Sequence, residues 1–306
     1  MTTKNLPEFV IIGAPKSAST WLQLALRQHP AIYMPEHETP FFEDAYYDEK
    51  DLSGLCEAID PAPAGTVIGI KCPNYLGTPA CAARIAKQLP NARLIAILRN
   101  PVDRAVSQYY HMIRSGRLPM APADAAFSRY LQGQFDPPFA KQQVLEFGLY
   151  AWGLSSYLQV FPKEQILIIT DLELRGDSRG VFERACRFLG VSDAVVPANI
   201  AMPRNQGVYF SPLLSMIMWL NQRGLTFDHQ TGLEHPRRDV FGWAVRRLAI
   251  LVSRASAATR LFLRDQEPSV SLKTRSDLLE YYLPDILKLQ ELTQIDLTAW
   301  RSSQRT

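Results

Sequence analysis

Cysteine is scarce, with four in 306 residues. Cys56, Cys72, Cys81 and Cys186 form no C-x-x-C pair and have no histidine spacing suited to zinc. Neither a disulfide framework nor a metal site is indicated. We expect free thiols in a reducing compartment and no metal. An excess of one charge is also lacking. Lys plus Arg is 33 and Asp plus Glu is 30, which leaves +3. That excludes a dedicated nucleic-acid coat but permits a local basic site for an anionic ligand. Long hydrophobic runs are missing too. The first apolar run, Phe9–Ala14, is far too short for a signal-peptide core or a membrane span. It follows a polar start, Met1–Glu8, with no basic n-region. A soluble cytoplasmic protein is therefore expected. Hydrophobic residues still make up 47% of the chain, too many for intrinsic disorder.

What is present is an alternation of short apolar runs and helical patterns. Phe9–Ile12 reads as a buried strand, Gly13-Ala-Pro15 as a turn, and Ser17 to His29 as a capped helix. Val67–Ile70, Arg93–Leu98 and Gln165–Thr170 read as further strands. Pro79–Gln88, Val102–Met112 and Val181–Leu189 read as helices, the last stopped by Gly190. This α/β order implies a central parallel sheet flanked by helices. Length alone suggests two domains at roughly 150 residues each. The alternation instead favours one domain over 1–306. Residues 115–141 are proline-containing and aperiodic, and read as a long surface excursion. Residues 211–265 read as an Arg-rich helical insert, and 278–300 as a helical tail that Pro284 bends or restarts.

The first loop has the composition of an anion cradle. Lys16, Ser17, Ser19 and Thr20 lie between a strand and a helix, where amide N–H groups favour phosphate. It is not a Walker loop, because the expected Gly-Lys pair is Ala18-Ser19. A surface turn with capping serines is the plain alternative. Pro15-Lys16-Ser17-Ala18-Ser19-Thr20-Trp21 resembles the P-K-[ST]-G-T-T-W loop of sulfotransferases. That loop binds the 5′-phosphosulfate of 3′-phosphoadenosine-5′-phosphosulfate (PAPS). The usual glycine is Ala18 here, and its methyl is tolerated only at negative φ. Arg99-Asn-Pro101-Val-Asp-Arg104-Ala-Val-Ser107-Gln-Tyr109 resembles the R-x-P-x-x-R-x-x-S-x-Y motif that grips the 3′-phosphate in the same family. Arg104 and Ser107, at i and i+3, share a helix face. The resemblance covers most of the chain. It includes Phe147 to Trp152, and an ending (Tyr281 to Trp300) like that of bacterial members.

The resemblance implies a P-loop NTPase-like sulfotransferase fold and transfer of a sulfuryl group from PAPS to a hydroxyl or amine. Such transfer needs a base, an in-line sulfuryl group and a stabilised leaving phosphate. Pro35-Glu36-His37-Glu38-Thr39-Pro40-Phe41-Phe42 resembles the K-E-x-x-F-F segment of the heparan sulfate and glycosaminoglycan branch. Glu38 is then the base, with His37 its rival because imidazole titrates near neutrality. His111 is a further candidate. Lys71-Cys-Pro73-Asn-Tyr75 resembles the E-K-[ST]-x-x-Y segment of that branch, with Ile70 replacing the acid. Lys71 is expected at the sulfuryl group, and Lys16 at the leaving phosphate. The expected nucleotide contacts are Lys16, Ser17, Ala18, Ser19, Thr20, Trp21, Arg99, Ser107 and Arg204. Tyr150 or Trp152 could offer the adenine a ring face.

Residues 237–264 hold seven arginines and one acid, Asp239. Phe241, Val245, Leu248, Val252 and Ala255 recur at helical steps. The stretch could meet an anionic membrane or an acidic glycan, pack on the domain, or form a dimer contact. The acceptor is left open among small molecules, glycans and lipid-linked compounds. Two competing functions stay open: a nucleotide-dependent kinase, and a non-catalytic nucleotide- or glycan-binding protein of the same fold.

Overall fold

The computed structural model describes residues 6–197, 200, 211–228, 234–263 and 270–301. Its main sheet has five parallel strands: β1 (Phe9–Gly13), β2 (Ile32–Tyr33), β3 (Val67–Lys71), β4 (Arg93–Leu98) and β5 (Ile166–Thr170), in the order β2-β3-β1-β4-β5. A small antiparallel pair joins β6 (Leu225–Phe227) to β7 (Glu234–Pro236). The helices are α1 (Ser19–Leu26), α2 (Ser53–Ile59), α3 (Ala80–Gln88), α4 (Pro101–Ser115), α5 (Ala123–Leu131), α6 (Tyr150–Leu158), α7 (Asp171–Gly176), α8 (Ser178–Leu189), α9 (Ser211–Gly224), α10 (Val240–Leu263) and α11 (Leu272–Thr293). The chain divides into two compact units. One holds Met1–Asn100, Leu149–Pro203 and Asp285–Ile295. The other holds Pro101–Gly148, Arg204–Pro284 and Asp296–Thr306.

The first unit carries the whole parallel sheet. Every residue of β1 is buried, as expected of a strand covered on both faces. Phe9, Ile11, Ile95 and Ile97 pack against Leu22 and Leu26 of α1 and Phe182 and Leu189 of α8. The four expected strands are all present. The missed one, β2, has only two residues between Pro30 and Pro35, too few to show a period. Gly190 ends α8 at φ 77°, the left-handed stop that glycine allows. The α6 helix also went unexpected. Its Gly153 passes so close to the Leu76 carbonyl that a Cβ would sit 2.2 Å from the oxygen. The carboxylate of Asp285 accepts from the amides of Ala151 and Trp152 at 2.9 and 3.1 Å. It thereby satisfies orphan donors at the start of α6.

The second unit is mainly helical. The expected surface excursion at 115–141 instead contains α5, which starts after Pro122 and buries Phe127 and Tyr130. Arg104 of α4 is fully buried. Its guanidinium donates to the carbonyls of Gln143 (3.2 Å) and Val144. Beside it, Asp103 pairs with Arg275 of α11 at 2.9 Å. The α11 helix starts earlier than expected, at Leu272, and runs through Pro284 unbroken. The insert forms α9, the β6–β7 pair and α10. The α10 helix packs on α9 through Val245 and Ala249, with Leu220 as their partner. The expected apolar stripe is therefore corrected: Phe241 and Leu248 are half exposed. Of the expected stripe, Val245 and Val252 do pack against Leu220 of α9, with Ala249 between them. No described helix is long and apolar enough to cross a membrane.

Candidate active site

Strands β1 and β4 are neighbours, yet their onward chain leads to opposite edges of the sheet. A crevice at their C-terminal ends is where α/β sheets bind ligands. The loop from Gly13 to Thr20 occupies that end of β1. Lys16 (φ 65°) and Ala18 (φ 71°) are left-handed, with Ser17 between them. Such alternation turns successive amides inward as an anion-binding nest. The expectation of negative φ at Ala18 is thus overturned. The loop's curvature sets the conformation, and the alanine carries a strain of roughly 1–2 kcal/mol that glycine would not. Ser17 and Ser19 are buried, and the Ser17 hydroxyl donates to the Pro15 carbonyl at 3.5 Å. Trp21 lies in the core and its indole N–H donates to Ile200. It supports the loop from within. Of these three hydroxyl-bearing residues only Thr20 is exposed.

Lys71 ends β3 at 2% exposure. Its Nζ donates to Thr20 Oγ1 at 2.9 Å and lies 3.1 Å from Glu38 Oε1. One ammonium thus joins the phosphate loop to the expected base. Ile70 beside it is fully buried, so no polar contact replaces the missing acid.

The Glu38 loop is pinned at both ends. Gln23 of α1 donates to the Pro35 carbonyl at 2.8 Å. The Thr39 amide donates to the Lys71 carbonyl at 2.9 Å. The buried Tyr75 hydroxyl donates to the Thr39 carbonyl and accepts from the Phe42 amide at 3.2 Å. Glu43 follows, accepting from the Cys72 thiol at 2.8 Å and from Asn74 at 3.3 Å. Burial pushes the Glu43 carboxyl up, against the pull of those two bonds. Burial, followed by the Glu43 charge, pushes the Cys72 thiol well up, so this cysteine stays an inert thiol. Gln23, Tyr75 and Glu43 were not assigned from sequence. Tyr75 closes the quoted Lys71 segment and Glu43 follows the quoted Glu38 segment, while Gln23 carried no signal. Glu36, His37 and Glu38 line a cavity of about 580 Å³ beside this loop.

Arg99 follows β4 in the same unit. It reaches the Lys16 carbonyl at 3.4 Å. Its Nε is buried without a hydrogen-bond partner among the described residues. An orphaned guanidinium donor beside the phosphate loop suits an anion. The Tyr150 hydroxyl holds the Arg99 carbonyl at 2.9 Å, and that ring is buried. Trp152, 46% exposed, is the aromatic that keeps a free face. Ser107 lies on α4 in the second unit. Arg104, expected to share a helix face with Ser107, spends its guanidinium on backbone carbonyls. His111 on the same helix lies 3.1 Å from Arg114 through its Nδ1. Arg204 is outside the described residues.

Two substitutions probe this frame. Ala18→Gly should relieve the left-handed strain, offset by about 0.4–1 kcal/mol of extra unfolded-chain entropy. The net expectation is a Tm rise of about 1–3 °C in calorimetry; a lower Tm would refute the strain. Tyr75→Phe strands the Phe42 amide and the Thr39 carbonyl. It should cost about 1–3 kcal/mol in denaturant unfolding, and a change under about 0.5 kcal/mol would show that neither bond matters.

The sulfotransferase domain family model matches residues 6–202. Heparan sulfate glucosamine 3-O-sulfotransferase 3B1 of Mus musculus is 28% identical over 207 residues, covering 67% of this chain and 51% of that protein. The bifunctional heparan sulfate N-deacetylase/N-sulfotransferase 4 of Mus musculus is 32% identical over 202 residues, covering 62% of this chain and 23% of that protein. The crystal structure of a sulfotransferase from Alicyclobacillus acidocaldarius shares the fold, with TM-score 0.67 and 24% identity over 97% of this chain and 100% of that one. The chain matches about half the length, or less, of these curated relatives. With the family model matching well over half of its residues, the chain belongs to the sulfotransferase domain family.

Proposed function

We propose that the protein transfers a sulfuryl group from PAPS to a hydroxyl or amine acceptor. The observation that carries this reading is the Lys71 bridge: one ammonium contacting Thr20 of the phosphate loop and the Glu38 carboxylate. In this scheme Glu38 accepts the acceptor's proton as the acceptor atom bonds to sulfur. The bond from sulfur to the phosphate oxygen breaks, and its electron pair leaves on 3′-phosphoadenosine-5′-phosphate (PAP). Lys71 complements charge on the sulfuryl oxygens, and Lys16 complements charge on the leaving phosphate. The nest at Lys16–Ala18 takes the 5′-phosphate. Arg99 takes the 3′-phosphate, by the motif and by its buried Nε, which has no partner among the described residues; the motif assigns Ser107 to the same phosphate. Glu38 is preferred to His37 because Glu38 is the group beside Lys71. A kinase is disfavoured because no lysine occupies the Walker position.

Calorimetry on the purified chain tests the reading. PAP should bind at least about tenfold more tightly than ATP; the reverse order would sink it. With PAP binding retained, Glu38→Gln should lower turnover of labelled PAPS by about 10²–10⁴-fold. Equal rates would remove Glu38 as the base.

The outer side of α10 supports a second contact. Val240, Trp243, Leu248 and Leu251 are exposed beside Arg247, which stacks on Trp243 at 4.8 Å. The helix carries no acidic residue. An apolar, aromatic and cationic face suits the surface of an anionic bilayer. Two copies meeting on this face would instead oppose their arginines. Phosphatidylglycerol vesicles should sediment the protein at low salt and phosphatidylcholine vesicles should not. A dimer in ultracentrifugation without vesicle binding would assign the face to a second copy.

A further inference from the structure

The cavity beside Glu38 is built from the segment between β2 and α2, and its charge is one-sided. Glu36, Glu38, Asp48 and Asp51 line it, against the single imidazole of His37, and no lysine or arginine does among the described residues. Glu38 is matched by Lys71. Glu36 and Asp48 are exposed and join no ion pair among the described residues. The remaining wall is largely apolar, with Tyr33, Phe41 and Tyr46 as its aromatic residues. The site's cations stand elsewhere. Lys16, Lys71 and Arg99 sit at the phosphate loop or the strand ends, and none lines the cavity.

The geometry points to an acceptor site for a neutral or cationic molecule with an aromatic or apolar body, rather than for a polyanionic glycan. The inference rests on the sulfuryl-transfer reading and names its substrate class. Glu38 is the one group shared by the cavity and the Lys71 bridge. An acceptor hydroxyl must reach Glu38 from the cavity, with the rest of the molecule among Glu36, Asp48 and the aromatic rings. Sulfates or carboxylates there would face Glu36, Asp48 and Asp51 with no lysine or arginine in the lining to relieve them. An ammonium would gain from the same carboxylates, and also from aromatic faces. A volume of about 580 Å³ suits a small molecule. The relatives named for heparan sulfate carry a polyanion in that name, and this cavity offers a polyanion no lysine or arginine, only the imidazole of His37.

Turnover of labelled PAPS, with calorimetry on the PAP-saturated protein for binding alone, tests the inference with three phenols of one scaffold: tyramine (cationic), para-cresol (neutral) and para-hydroxyphenylacetate (anionic). A heparosan oligosaccharide serves as the polyanionic glycan. Tyramine and para-cresol should exceed the anionic phenol in kcat/KM by at least about tenfold. The Glu36→Gln/Asp48→Asn double variant should close most of that gap while leaving PAP affinity unchanged. Preference for para-hydroxyphenylacetate or heparosan would overturn the inference. An unchanged gap in the double variant would do so too, as would failure of both tyramine and para-cresol to bind in calorimetry. Loss of PAP binding by the wild type would instead bring down the transferase reading itself.

Discussion

A lysine ammonium at 2% exposure is costly to bury unless it is paired and hydrogen-bonded. Lys71 is in that position at the end of β3, and its two partners come from different parts of the chain. Thr20 is the second residue of α1, and Glu38 lies on the loop after β2. Satisfying one buried cation therefore draws the phosphate loop and the base loop to the same strand end. The Lys71 backbone acts in the same direction, because its carbonyl takes the Thr39 amide. Tyr75, four residues on, clamps both sides of the next turn through Thr39 and Phe42. The proposed base is thus held by the segment that supplies the proposed sulfuryl-side cation.

That arrangement separates charge. Lys16, Lys71 and Arg99 gather where a phosphosulfate would sit, while Glu36, Asp48 and Asp51 line the adjoining cavity. Glu38 stands at the division, half exposed, with its ion pair on one side. In a low-dielectric site such segregation orients a substrate pair more strongly than it would in water. The formal net charge of +3 conceals both halves.

Residues of one motif serve different ends. In the R-x-P-x-x-R stretch, Arg99 keeps a buried Nε unmatched, whereas Arg104 is spent on the carbonyls of Gln143 and Val144. In the first loop Thr20 faces outward, while Ser17 and Trp21 brace the turn from inside. Ala18 adopts a left-handed geometry that glycine would carry without strain. The backbone conformation is set by the loop, and the side chain bears the strain.

The sequence by itself determined the parallel sheet, its strand-to-helix loops and the roster of charged groups. Those depend on local signals: buried β-branched runs, a proline or glycine at a boundary, a cation placed after a strand. It also put Glu38 and Lys71 forward, since each sits in a recognisable segment. Their contact was settled only in three dimensions, because thirty-three positions separate them and no local period links such partners. The same holds for the burial of Arg104, the positive φ of Ala18, the helix hidden in 115–141 and the side of α10 that packs on α9. Each depends on which surfaces long-range packing covers and which it leaves to solvent, and a linear pattern does not carry that information.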